Sequence, residues 1–143
     1  MEIEDVLEWI QLADNDLYSA QILNEGARKV YEIVCYHCAQ ATEKYLKAYL
    51  TCQDIMPEKT HNLLFLNKLC MEKDNEFNNI ATLCDFLNRF ANDIRYPHKY
   101  EVNDNDANFS INAVERIRNI KPIIDLRNKI NDESNNQEDD IVK

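Results

Sequence analysis

A chain of 143 residues that contains a single glycine has almost nowhere to set its backbone at positive φ without steric cost. Tight hairpins, glycine-rich phosphate loops and multi-turn β folds all depend on such positions. Apolar residues also recur at threes and fours along most of the chain. Together these features predict an all-helical domain.

The residues from Tyr31 to Leu50 contain neither Gly nor Pro and read as the central helix. Tyr31, Val34, Cys35, Cys38, Thr42, Tyr45, Leu46 and Tyr49 form a stripe wide enough to bury against neighbouring helices. A second line, Ile33, His37, Gln40, Lys44 and Lys47, is mixed. It reads either as a half-exposed flank, with Glu43 and Lys47 as an ordinary i,i+4 pair, or as a polar surface turned toward a ligand or a second subunit.

The flanking segments continue the pattern. Helix one is expected from about Glu2 to Asn24, with Ile3, Val6, Leu7, Ile10, Ala13, Leu17 and Ala20 on one face and Trp9, Leu12 and Ile22 widening it. Gly26 reads as a left-handed C-terminal stop. Thr60 is the expected N-cap of a third helix carrying Leu63, Leu64, Leu66, Leu69 and Cys70. The fourth carries Ile80, Leu83, Cys84, Leu87, Phe90, Ala91 and Ile94, and ends at Arg95-Tyr96-Pro97-His98-Lys99-Tyr100. A fifth, capped by Asp104 or Asp106, carries Ala113, Ile117, Ile120 and Ile124, with Pro122 expected to kink or divide it. Arg116, Arg118, Lys121, Arg127 and Lys129 read as complementing the negative end of its dipole in preference to forming a nucleic-acid stripe. Residues 1–130 therefore read as the folded domain and 131–143 as a disordered acidic tail.

The formal charge of −10 is partly local: the last thirteen residues hold five acids and Lys143, leaving about −6 on the rest. A broad grip on nucleic acid comes from basic surface, so the balance argues against one and leaves room for a small phosphate site. Five cysteines, an odd number spread over helical segments, read as free thiols in a reducing cytoplasm. Neither a secretory signal nor a run of about eighteen apolar residues is present, so no membrane partner is expected.

Cys35, His37 and Cys38 invite a metal reading, but no second Cys/His cluster accompanies them, and core thiols fit better than a metal. His61 reads as a surface or capping contact, or as a functional group. The segment Arg95 to Tyr100 is the more concentrated signal. Arg95 offers a fork of donors for phosphate, His98 a general acid or base, and Tyr96 and Tyr100 stacking faces or hydroxyls, with Lys44 and Lys47 as further phosphate contacts. The alternative is a helix stop with Arg95 paired to Asp93 or to a carbonyl. Ser-His-Asp, His-Glu-x-x-His and glycine-loop motifs are all missing, so nothing supports hydrolase or P-loop chemistry, and no cofactor is expected.

The central helix ending Gln40-Ala-Thr-Glu-Lys-Tyr-Leu-Lys-Ala-Tyr-Leu50, followed by Thr60-His61-Asn62-Leu63 and Arg95-Tyr96-Pro97, resembles the HEPN domain family, the higher-eukaryote and prokaryote nucleotide-binding helical domains. Trp9, Ala13, Asp16, Leu17 and Ala20 look like that family's opening pattern. The likeness covers roughly residues 5 to 125. It implies an up-and-down antiparallel bundle of four to five helices, commonly a homodimer, and often a partner of a minimal nucleotidyltransferase in a toxin–antitoxin-like two-gene system. Other members are metal-independent RNase toxins in which an arginine and a histidine are four to six residues apart and meet across the dimer. Here Arg95 and His98 have two residues between them, one of them Pro97, and Arg89 lies too far upstream to replace Arg95. His98-Lys99-Tyr100 keeps a His-x-Tyr pairing like that of toxins whose tyrosine receives nucleotidyl groups. The expectation is a non-enzymatic nucleotide-binding or nucleotidyltransferase-partner module. The alternatives are an RNase using Arg95 and His98, and a plain dimerisation scaffold.

Overall fold

The computed structural model describes residues 2–92 and 101–142, with side chains as far as residue 136. Among these residues the chain forms α1 (Ile3–Glu25), α2 (Tyr31–Cys52), α3 (Leu63–Met71), a 3-10 helix (Asn75–Ile80), α4 (Ala81–Asn88), α5 (Asp104–Arg118) and α6 (Lys121–Val142), with no strand. The all-helical expectation holds, and the expected fifth helix is divided into α5 and α6. Pro122 is the second residue of α6, where its missing N–H would have had no intrahelical partner.

Helix α2 is the spine, packed against α1, α3, α4, α5 and α6. From Ala41 to Leu50 every residue except Lys44 is buried, so this half is enclosed on all sides. Ala39, Ala41 and Ala48 of α2, with Ala13 and Ala20 of α1, are fully buried. Small side chains at these positions let the two longest-paired helices approach closely. Tyr45 and Leu46 fill the middle of the core, and Tyr49 packs against Phe77 of the 3-10 helix at 4.6 Å between ring centroids. Leu12 and Ile22, expected to widen the α1 face, stay exposed.

Helix α5 runs antiparallel to α1: Asn24 bonds Asn108, Gln21 bonds Glu115, and Asp14 bonds Arg118. The start of α5 therefore lies at the α1–α2 turn, and the start of α1 and the end of α2 lie together at the other end of the bundle.

Several local expectations are corrected. Gly26 is extended, with φ −67° and ψ 160°, so it is not a left-handed stop. The left-handed position is Asp54 at φ 59°, where Asp54 N–H donates to Thr51 O and Ile55 N–H to Leu50 O, closing α2 in a Schellman turn. Asn62, not Thr60, caps α3: its side chain accepts from Leu64 and Phe65 N–H, while Thr60 Oγ accepts from Asn62 N–H. Asn103, not Asp104 or Asp106, caps α5, and Asp106 is the reciprocal partner in a capping box.

Helix α4 stops at Asn88 instead of running on through Ile94, which lies outside the described residues. Phe90 and Ala91 N–H donate three residues back, to Leu87 and Asn88, so the periodic apolar residues are buried by a tightened turn. The acidic stretch from Asn131, expected to be disordered, continues α6 as far as Val142. Ile130 is the last core residue before it, and none of the side chains from 131 to 136 is buried.

Candidate functional site

Three carboxylates gather most of the polar side chains between the helices. The first is Asp14 of α1. Its two oxygens accept from Arg127 Nη1 and Nη2, each at 2.9 Å, from Arg118 Nε at 3.2 Å and from the Tyr45 hydroxyl at 2.5 Å. Burial pushes the Asp14 carboxyl up, but the bonds from Arg127, Tyr45 and Arg118 outweigh it and hold the group below its ordinary value. Tyr45 is pushed well above the usual phenol range by burial and by the carboxylate it donates to. The arrangement joins α1, α2, α5 and α6, and its donors and acceptors are already matched.

The second is Asp16, which accepts from Lys44 Nζ and lies 3.2 Å from His37 Nδ1. A carboxylate only accepts, so Nδ1 carries the proton. Burial raises this carboxyl and the bonds from His37 and Lys44 lower it further than burial lifts it. His37 therefore belongs to an ion-paired cluster, not to a ligand set with Cys35 and Cys38. Those thiols are buried, and burial pushes Cys35 up to about 11. Among the described residues no three metal-ligating side chains converge.

The third is Glu43, only 4% exposed, which accepts from Lys47 Nζ at 3.2 Å and lies 2.6 Å from His61 Nδ1. Lys47 also sits over the Trp9 ring at 5.6 Å. The His61 side chain is 59% exposed, so the carboxylate fixes one ring nitrogen and leaves the imidazole facing solvent. This is an oriented acid–base group, although no nucleophile accompanies it among the contacts described.

Of the phosphate ligands expected from the sequence, Lys44 and Lys47 are thus engaged by Asp16 and Glu43. Arg95, Tyr96, His98 and Tyr100 lie outside the described residues. What is described is their frame. Phe86 of α4 meets Phe109 of α5 at 4.5 Å and Phe90 at 5.6 Å, and the Arg89 guanidinium lies 4.5 Å from the Phe86 ring. This aromatic cluster holds the end of α4 beside the start of α5, so the connection carrying Arg95 to Tyr100 begins and ends at one edge of the bundle.

The family model for the HEPN domain matches residues 6–124. This chain belongs to the HEPN domain family. The HEPN fold is also seen in the crystal structure of an archaeal HEPN homologue, which is 26% identical, aligns with a TM-score of 0.63, and covers 87% of this chain and 97% of its own. No curated protein matches the chain. Within this HEPN bundle the sequence reading missed the Asp14 centre, because Arg118 and Arg127 read as dipole partners. The signal that could have found it was two carboxylates, Asp14 and Asp16, set into the apolar face of α1 between Ala13 and Leu17. Among the described residues no helix is long and apolar enough to cross a membrane.

Proposed function

We propose that this protein is a non-catalytic HEPN module that binds a nucleotide, as the partner of a nucleotidyltransferase in a toxin–antitoxin-like pair. Arg95 takes the phosphate, and Tyr96, His98 and Tyr100 flank it. The observation that most supports this reading is the Phe86–Phe109 contact, which holds together α4 and α5, the two helices that the stretch from Arg95 to Tyr100 connects in sequence. The pairing of Lys44 with Asp16 and Lys47 with Glu43 also favours Arg95 over α2 as the phosphate contact. The two-residue spacing of Arg95 and His98 across Pro97 departs from the RNase pattern and supports binding over cleavage.

A homodimer is part of the proposal, with the exposed Leu64, Phe65 and Phe109 side chains offered as its apolar contacts. A reducing, cytoplasmic setting suits five free thiols. The test is titration of the purified chain with ATP beside Arg95→Ala and Lys44→Ala. Binding removed by Arg95→Ala and kept by Lys44→Ala is expected; the reverse pattern, or a folded chain that binds no ATP, contradicts the nucleotide reading.

A further inference from the structure

A groove of about 480 Å³ lies between the start of α1 and the turn that follows α2. Its floor is apolar: Trp9, Leu12, Ile55 and Met56. Met56 is 89% exposed and Leu12 40%, so this surface is left uncovered by the chain's own fold. The Schellman turn at Asp54 is what projects Ile55 and Met56 beside α1. The rim is acidic, with Glu2, Asp5 and Glu8 on one side and Asp54 on the other, and among the described residues no basic side chain lines it. Glu2 and Asp5 suit the positive end of the α1 dipole. Glu8, in the second turn, lies beyond the reach of that explanation.

We infer that this groove docks a basic amphipathic segment of a partner protein. Glu2, at the N-cap, and Asp5 and Glu8 in α1 are spaced by threes, a rise of about 9 Å along the helix axis. Lysines or arginines on two turns of a partner helix span that length, and a leucine or methionine between them seats on the Trp9–Met56 floor. An exposed methionine is an adaptable contact for such an anchor. A second copy of this chain is disfavoured as occupant of this acidic groove, since its own formal charge is −10, whereas the proposed homodimer draws on Leu64, Phe65 and Phe109, which do not line the groove. The groove lies at the end of the bundle away from the start of α5, and none of its lining residues is among the proposed nucleotide contacts. Failure of either reading leaves the other in place.

Trp9 is the chain's single tryptophan and reports on the groove directly. The test is titration of the intact protein with a tryptophan-free helical peptide of leucine and lysine, beside a leucine–glutamate peptide of the same length, following Trp9 emission. The leucine–lysine peptide is expected to shift the emission to shorter wavelength and saturate, with affinity falling as salt is raised. The leucine–glutamate peptide is expected to leave it unchanged. Glu8→Lys and Met56→Asp should each weaken binding at least tenfold. Glu4→Lys makes the same charge change outside the groove and should weaken it less than threefold. Equal effects of Glu4→Lys and Glu8→Lys, binding of both peptides alike, or an unmoved Trp9 signal would overturn the inference.

Discussion

The Asp14 carboxylate receives both terminal nitrogens of Arg127 at 2.9 Å and so ties the first helix of the bundle to the last. Paired forks of this kind are stronger than single contacts because both bonds are charge-assisted and share one geometry. Asp14 is about a third exposed, which screens part of the gain. Arg127→Ala is expected to lower stability by about 1–2 kcal/mol. Arg127→Lys should not restore it, since an ammonium cannot reproduce the fork. Urea denaturation of the three proteins checks this, and equal midpoints for lysine and arginine would count against the bidentate role.

The acid limb of stability follows from Asp14 and Asp16. Both carboxyls titrate below their ordinary value of 3.8 in the folded chain. A depressed folded value means that the stabilisation is present above the unfolded value and is lost as pH falls through the folded one. Denaturation midpoints measured downward from about pH 5 should fall, and Asp14→Asn with Asp16→Asn should flatten that decline. An unchanged slope in the double variant would assign the acid sensitivity elsewhere.

Glu43 and Lys47 form a buried pair, with side chains 6% and 8% exposed. Removing only the cation leaves a buried carboxylate with His61 as its remaining partner. Lys47→Met should cost about 3 kcal/mol, whereas Lys47→Met combined with Glu43→Leu should recover most of it. A thermal melt of both variants distinguishes the pair from simple loss of packing around Trp9.

Asn103 accepts from Asp106 N–H, and the Asp106 side chain returns a bond to Asn103 N–H. Asn103→Ala should destabilise the protein by about 1 kcal/mol, and Asn103→Ser by much less. Circular dichroism melts read the difference; indistinguishable alanine and serine variants would show that the box adds nothing.

Thiol exposure gives a check on the core. Cys35, Cys38, Cys70 and Cys84 are buried, and Cys52 is half-buried at the end of α2. One thiol should react quickly with a thiol reagent in the native protein and all five in urea. Rapid native labelling of two or more would contradict the packing of α2.

The long helices are legible in the sequence because each carries an apolar face at the helical period, as in Val6, Ile10, Ala13 and Leu17 of α1. The caps are less legible: Thr60 and Asn62, or Asn103, Asp104 and Asp106, are chemically similar residues that compete for one position. Asp54 shows the same limit, since an aspartate takes the left-handed turn that glycine would take more cheaply. The ends of α4 and α6 are misjudged for opposite reasons. Phe90 keeps the helical period after the helix has ended, and residues 131–136 stay helical with no buried side chain among them. The polar centres are hidden because ion pairs such as Asp14–Arg127 join residues far apart in the chain: carboxylates in the apolar face of α1 hint that a partner exists, but spacing along one helix does not say which residue it is.

We propose that this HEPN chain binds and does not cut. The direct measurement is incubation of the purified, folded protein with mixed RNA in EDTA, beside Arg95→Ala and His98→Ala. Intact RNA in all three samples is the predicted result. Cleavage by the unmodified chain that both substitutions remove would contradict the account and make Arg95 and His98 a catalytic pair despite Pro97 between them.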